Sequence, residues 1–292
     1  MDPDVARPVA IVTGATSGIG WWTARGLLEG GWAVVVVGRD ADRLRSTEER
    51  LRSLVPSAEL EVESADLLVR AELEGLGRRL TDRYPRIGLL VNNAGAVFNR
   101  RRTTSEGLER TFALNVFAPF VLTRSLLEGL RSAAPARVVM VSSEAHRGAR
   151  LDLDDLQSER TFSGFRAYSR SKLALNLLTR AFARRLDPAR VTVNGVHPGF
   201  VSTRFGRDNG GVFGNGLRLA EIAFGRRAQS GARAPLYVAT SPELRGVSGA
   251  YFRRLRRTEP SSASSDDAAS ERLWNVLGEI AGARPEAPAS PA

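Results

Sequence analysis

Four consecutive valines, Val34–Val37, form a run that is β-branched throughout and too short for a helix. A strand with no polar alternation is buried on both faces, which requires helices on either side of a parallel sheet. Strand-like stretches recur around it at Val9–Thr13, Glu59–Glu63, Ile87–Val91, Arg137–Ser142 and Val191–Val196. Between them lie helix-like stretches at Ile19–Glu29, Asp40–Leu54, Leu67–Tyr84 and Ser105–Arg131, and one that carries Tyr168 and runs to about Leu186. This βαβ rhythm predicts an α/β fold: a doubly wound parallel sheet in three α/β/α layers, one domain, with its ligand crevice at the carboxyl ends of the strands.

The chain of 292 residues is 42% hydrophobic, enough for a sizeable core. We assign residues 1–252 to the sheet domain, with a substrate loop at about 200–227. That region comprises a polar, glycine-rich Phe200–Gly216 and a short amphipathic helix at Leu217–Arg226. Residues 253–292 form an extension in which Asp266–Ile280 regains helical periodicity and is expected to dock on the body, with a flexible tail beyond. The formal charge of +10 comes from scattered basic residues and two short clusters without interleaved aromatics, so nucleic acid is not an expected partner. Cysteine is absent and only His146 and His197 occur, which argues against a metal site. No signal-like start or long apolar run is present, so the expectation is a cytoplasmic protein without stable membrane insertion.

Three features carry chemistry. Thr13-Gly-Ala-Thr-Ser-Gly-Ile-Gly20 joins the first strand to the first helix. Glycines there allow a tight turn and close approach of a pyrophosphate to a helix N-terminus, through Gly14, Thr16, Ser17, Gly18, Ile19 and Gly20. The second strand ends in Gly38-Arg39-Asp40; Arg39, with Arg43, suits a ribose 2′-phosphate, so NADP(H) is preferred over NAD, although Asp40 is close by. Tyr168 and Lys172 stand four apart on one helix face, where an ammonium is expected to lower the phenol pKa for proton transfer. Lys172 is the only lysine among 42 Lys and Arg residues, and so marks a position that arginine does not serve.

The motif order is similar to that of the short-chain dehydrogenase/reductase family, which has a Rossmann fold. The resemblance covers about residues 8–282: Thr-Gly-x-x-x-Gly-Ile-Gly at 13–20, Asp66-Leu67, Asn92-Asn93-Ala94-Gly95, Asn115, Ser142-Ser143, Tyr168-x-x-x-Lys172 and His197-Pro198-Gly199. Val141-Ser-Ser-Glu-Ala-His146, Asp155–Arg160, Ser248–Phe252 and Glu271-Arg-Leu-Trp274 resemble the retinol-dehydrogenase-like branch. The resemblance implies Tyr168 as general acid/base, Ser143 as hydrogen-bond partner of the substrate oxygen, and Lys172 on the nicotinamide ribose, lowering the Tyr168 pKa. Asn115 would hold a water that links Lys172 to solvent. Asp66 and Leu67 would meet the adenine, Asn93, Ala94 and Gly95 the adenosine ribose, and Pro198, Gly199, Val201 and Thr203 the nicotinamide end. His146 and His197 are expected to be structural.

These features imply an oxidoreductase for a small lipophilic ketone, aldehyde or alcohol, a retinoid-like or natural-product molecule, as a homodimer or homotetramer. The same acid/base pair also suits a non-redox cyclase or epimerase, and the fold a cofactor-binding scaffold. Trp21-Trp22 departs from the family pattern; Trp22 is expected to pack under the first helix and Trp21 to lie at the surface or near a partner.

Overall fold

In the computed structural model, residues 9–199, 201–202 and 226–282 are described. The eight-stranded sheet is built from β1 (Val9–Thr13), β2 (Ala33–Gly38), β3 (Leu60–Ser64), β4 (Ile87–Asn92), β5 (Ala136–Val141), β6 (Val191–His197), and, further along the chain, β9 (Tyr251–Arg253) and β10 (Arg256–Arg257). Their spatial order is β10-β9-β6-β5-β4-β1-β2-β3, and every pairing is parallel except β9 with β10. A short parallel pair, β7 (Val201–Ser202) and β8 (Arg226–Arg227), stands apart. Strand order reverses at β1, which lies between β2 and β4, so the ligand crevice opens beyond Thr13 and Asn92.

The valine run supplies both faces. Val35 and Val37 enter one apolar core, Val34 and Val36 the other. Helices α1 (Gly18–Glu29), α2 (Ala41–Leu54) and α8 (Ala228–Thr240) cover the second core, through Leu27, Leu51 and Val238 among others. Helix α3 (Arg70–Arg83), the segmented helix after β4, α7 (Gly164–Ala183) and α9 (Asp267–Ile280) cover the first.

Three departures from the sequence expectations have clear physical causes. The expected helix at Ser105–Arg131 is instead α4 (Arg110–Phe112), a π-helical turn at Ala113–Phe117, α5 (Ala118–Ser125) and α6 (Leu127–Ser132). Glu109 is buried at its start and accepts from the Thr111 and Phe112 amides, both at 2.9 Å, which fixes where the helix begins. Helix α8 is absent from the sequence reading because Pro235 and small residues interrupt its periodicity; it forms by packing on α1, where a side chain at Gly26 would meet Leu236 at 2.6 Å. Trp21 and Trp22 exchange their expected places. Trp21 is buried in the second core with Arg50 over its ring at 4.8 Å, whereas Trp22 is half-buried beside it with Arg25 at 5.0 Å. The helix-like reading of Leu217–Arg226 lies outside the described residues except for Arg226, which is in a strand.

Helix α9 is held on α7 by Leu273, Trp274 and Leu277 and by charge. Arg185 binds Glu271 through two bonds of 3.1 and 2.6 Å. Arg70, at the start of α3, donates to the Ile280 and Ala281 carbonyls at 2.9 and 2.8 Å and so satisfies the helix's last acceptors.

Candidate active site

The first βα turn is shaped by backbone demands. Gly14 and Gly18 have φ of 64° and 58°, the left-handed region where glycine is favoured. At Gly20 an added Cβ would stand 2.4 Å from Asn93 Nδ2 and 2.5 Å from the Gly14 carbonyl, so no side chain fits. Helix α1 then begins with no side-chain cap from Ser17 and no acid in its first turn. Its first amides and positive dipole end are therefore suited to an anion such as a pyrophosphate. The segment after β4 is stitched to this turn: Thr13 Oγ1 accepts from the Asn93 and Ala94 amides at 3.0 Å, and Asn93 Nδ2 donates to Thr13 O at 2.8 Å. The Asn93 amide group thus builds the cradle itself. Asp66 is engaged too, with Oδ1 accepting from Leu68 N at 3.0 Å, while Leu67 and Ala94 line a small crevice with Thr13 and Asn92.

At the end of β2, Arg39 is exposed. Asp40 serves as the N-cap of α2, its Oδ1 accepting from Arg43 N at 3.0 Å and its Oδ2 lying 3.9 Å from Arg43 Nε.

Helix α7 delivers Tyr168 and Lys172 to the end of β5. Lys172 is buried and its Nζ donates to Val141 O at 2.8 Å, lying 5.6 Å from the centre of the Tyr168 ring. Burial pulls the Lys172 pKa down to about 8, which leaves it largely charged at neutral pH. The neighbouring Ser143 side chain favours the Tyr168 phenolate, yet burial dominates and pushes the phenol pKa up to about 12. The expected lowering by Lys172 does not appear: burial is the largest influence on the phenol, and the Lys172 ammonium is directed at a backbone carbonyl. Ser143 caps the 3₁₀ turn Glu144–Gly148, its Oγ accepting from Ala145 N at 3.2 Å.

Asn115 sits within the π-helical turn. Its side chain accepts from Ala96 N and donates to Ala96 O, both at 3.0 Å, and reaches Ser171 Oγ at 2.9 Å. An added Cβ on Gly95 would come 3.1 Å from Asn115 Oδ1 and 3.4 Å from Lys172 Nζ. The structure thus brings Gly95, Asn115, Lys172, Tyr168 and Ser143 into one neighbourhood, and a π-bulge at such a place is a common mark of function. Pro198 and Gly199 follow β6 at the same end of the sheet, and Val201 lies in β7; Thr203 is outside the described residues.

The short chain dehydrogenase family model matches residues 8–210. Human retinol dehydrogenase 14 is 36% identical over 281 residues, covering 91% of this chain and 84% of its own. The chain belongs to the short-chain dehydrogenase/reductase family. As in that family generally, it is an oxidoreductase built to bind a nicotinamide cofactor and a small substrate. A Streptomyces sp. (strain C5) relative assigned as a daunorubicin C-13 ketoreductase is 38% identical over 268 residues, 91% of this chain and 90% of its own. Among solved structures, the Pseudomonas aeruginosa RhlG/NADP active-site complex superposes with a TM-score of 0.68 at 28% identity, over 87% of this chain and 97% of that one. The dehydrogenase/reductase frame explains why the polar groups converge at the carboxyl ends of β4, β5 and β6. Among the described residues there is no candidate metal cluster and no helix long and apolar enough to cross a membrane.

Proposed function

We propose that the chain is an NADP(H)-dependent oxidoreductase acting on a lipophilic ketone or aldehyde and its alcohol. The observation that carries this reading is the placement of Tyr168 and the buried Lys172 together at the end of β5, with Lys172 Nζ 5.6 Å from the Tyr168 ring and 2.8 Å from Val141 O, next to Ser143. With its pyrophosphate at the glycine turn, a nicotinamide dinucleotide would supply the hydride chemistry at the Tyr168 end of the crevice. Protonated Tyr168 gives its proton to the substrate oxygen in the reducing direction, and a phenol pKa of about 12 keeps it protonated at neutral pH. The Ser143 hydroxyl orients that oxygen, and the Lys172 charge favours the phenolate as it forms. Asn115 holds the π-helical turn beside Lys172. Pro198, Gly199, Val201 and Thr203 would border the nicotinamide end, and Asp66 and Leu67 the adenine.

Exposed Arg39 with a capped Asp40 supports the 2′-phosphate form of the cofactor. The names of the relatives, a retinol dehydrogenase and a daunorubicin C-13 ketoreductase, support an apolar carbonyl substrate. Titration of intrinsic fluorescence with NADPH and NADH tests the cofactor: NADPH should bind tighter, and Arg39→Asp should reduce that preference by about tenfold or more, as expected for loss of a charge-assisted bond. Equal affinity for both dinucleotides would refute it. Tyr168→Phe should abolish turnover and leave NADPH affinity unchanged.

A further inference from the structure

His146 is wholly buried on the turn that follows Ser143, and both its ring nitrogens are engaged. Nδ1 lies 2.6 Å from the Ser143 carbonyl, which can only accept. Nε2 lies 3.1 Å from the Ser261 backbone amide, which can only donate. The ring is therefore the neutral Nδ1–H tautomer, a state dictated by its two partners. Next to it, Arg147 donates from Nη2 to the Glu259 carbonyl at 2.7 Å while its Nε binds Glu144 at 3.0 Å. The serine turn thus grips the extension at Glu259 and at Ser261.

The grip continues to the other half of the site. Ser261 Oγ lies 2.9 Å from Ser264 Oγ, and Asn176 Nδ2 on α7 reaches Ser264 Oγ at 3.4 Å, one helical turn beyond Lys172. Helix α9 then anchors the segment on α7 through Trp274 and Glu271. On the body side, the His146 ring packs edge-on against Tyr251 at 4.9 Å, and Tyr251 donates to Glu144 Oε1 at 3.1 Å.

We propose that His146 is a positioning residue that holds the Ser143 backbone against the Ser261 amide of the extension, so that docking of the extension sets where the Ser143 hydroxyl meets Tyr168. This inference rests on the roles given above to Ser143 and Tyr168. The Ser143 hydroxyl accepts from the Ala145 amide at 3.2 Å and neighbours the Tyr168 phenol, so a small rotation of the Ser143–Glu144 peptide carries it off line. Misplacement on the ångström scale is costly in catalysis, about 10²-fold at most such sites. A protonated ring would turn an N–H toward the Ser261 N–H and lose that bond. The charged and titratable neighbours are Glu144 and Arg147 on the same turn, Tyr251 from β9 and His197 from β6. Glu144 favours protonation, Arg147 opposes it, and burial, the largest influence, keeps the ring neutral below its ordinary pKa.

The full chain has only two histidines, so a long-range ¹H–¹⁵N spectrum resolves both, with His197→Gln giving the assignment. At pH 7.5 His146 should show a protonated Nδ1 and an unprotonated Nε2; the opposite tautomer or an imidazolium overturns the proposal without any substrate. With NADPH and decanal as the probe, His146→Phe retains a ring against Tyr251 but removes both bonds. It should lower kcat by about tenfold or more, with decanal KM and NADPH Kd within about twofold. His146→Asn, which returns a donor near the Nδ1 position, should recover most of that kcat. Unimpaired kcat in His146→Phe, with Tyr168→Phe inactive, overturns this inference alone. Turnover retained by Tyr168→Phe overturns instead the assignment of the site, on which the tautomer measurement does not depend.

Discussion

Trp274→Ala tests whether the extension is part of the cooperative fold. The indole is 1% exposed and meets two rings edge-on, Phe120 at 5.1 Å and Phe182 at 4.9 Å. The Arg185 guanidinium lies 4.2 Å above it, itself bound to Glu271 and only 4% exposed at its side chain. Truncating a buried Trp costs about 3–5 kcal/mol, since the cavity cannot collapse fully. Loss of the cation–π contact adds about 2 kcal/mol at a desolvated site. We take about 5 kcal/mol in total. Unfolding entropy of about 2 cal/mol/K per residue gives roughly 0.6 kcal/mol/K for a chain of this length, so the melting temperature should fall by about 8 °C. Calorimetry with and without the substitution reads this directly, and Trp274→Phe should recover more than half of the loss. A fall of less than about 2 °C would mean that α9 frays independently and does not stabilise α7.

The other predictions concern the site and its pH dependence. Gly20→Ala should remove dinucleotide binding in a fluorescence titration, because its Cβ would stand 2.5 Å from the Gly14 carbonyl; affinity within threefold of the parent, about 0.7 kcal/mol, would contradict that geometry. Lys172→Arg preserves charge but puts a longer, planar group into a slot bounded by Val141 O and Gly95, so kcat should fall by about 10²-fold or more. Sustained turnover in that variant would show that charge alone suffices. His197 is buried, and its pKa is pulled down to about 4, chiefly by desolvation. Above about pH 6.5 neither folded nor unfolded histidine binds a proton; below it the unfolded chain protonates first, so stability is lost as pH falls from about 6.5 towards 4. By pH 5 the loss should reach about 2 kcal/mol in urea melts, and His197→Gln should flatten that slope.

Much of the fold follows from local pattern. The valine run requires two covered faces, the glycine turn requires a left-handed backbone at Gly14 and Gly18, and the lone Lys172 follows Tyr168 by one helical turn. Each is a property of neighbours in the chain, and period and backbone freedom can be read there. The same holds for the family, whose motifs are short and ordered. Substrate choice is less accessible, because most of the expected substrate loop at about 200–227 lies outside the described residues.

What depended on residues far apart was decided only in three dimensions. The two tryptophans are adjacent in sequence, and which one is buried depends on Arg50 and the core beneath α1. Helix α8 exists because α1 offers a glycine to receive Leu236, not because its own pattern demands a helix. Asp40 caps α2 through the Arg43 amide, and burial raises the Tyr168 pKa and keeps the phenol protonated. His146 joins Ser143 to Ser261 across more than a hundred residues. The sequence by itself determined which chemical groups are present and the sheet that carries them. The tertiary structure decided their protonation and their partners, because desolvation and hydrogen-bond geometry depend on what distant segments place around each group.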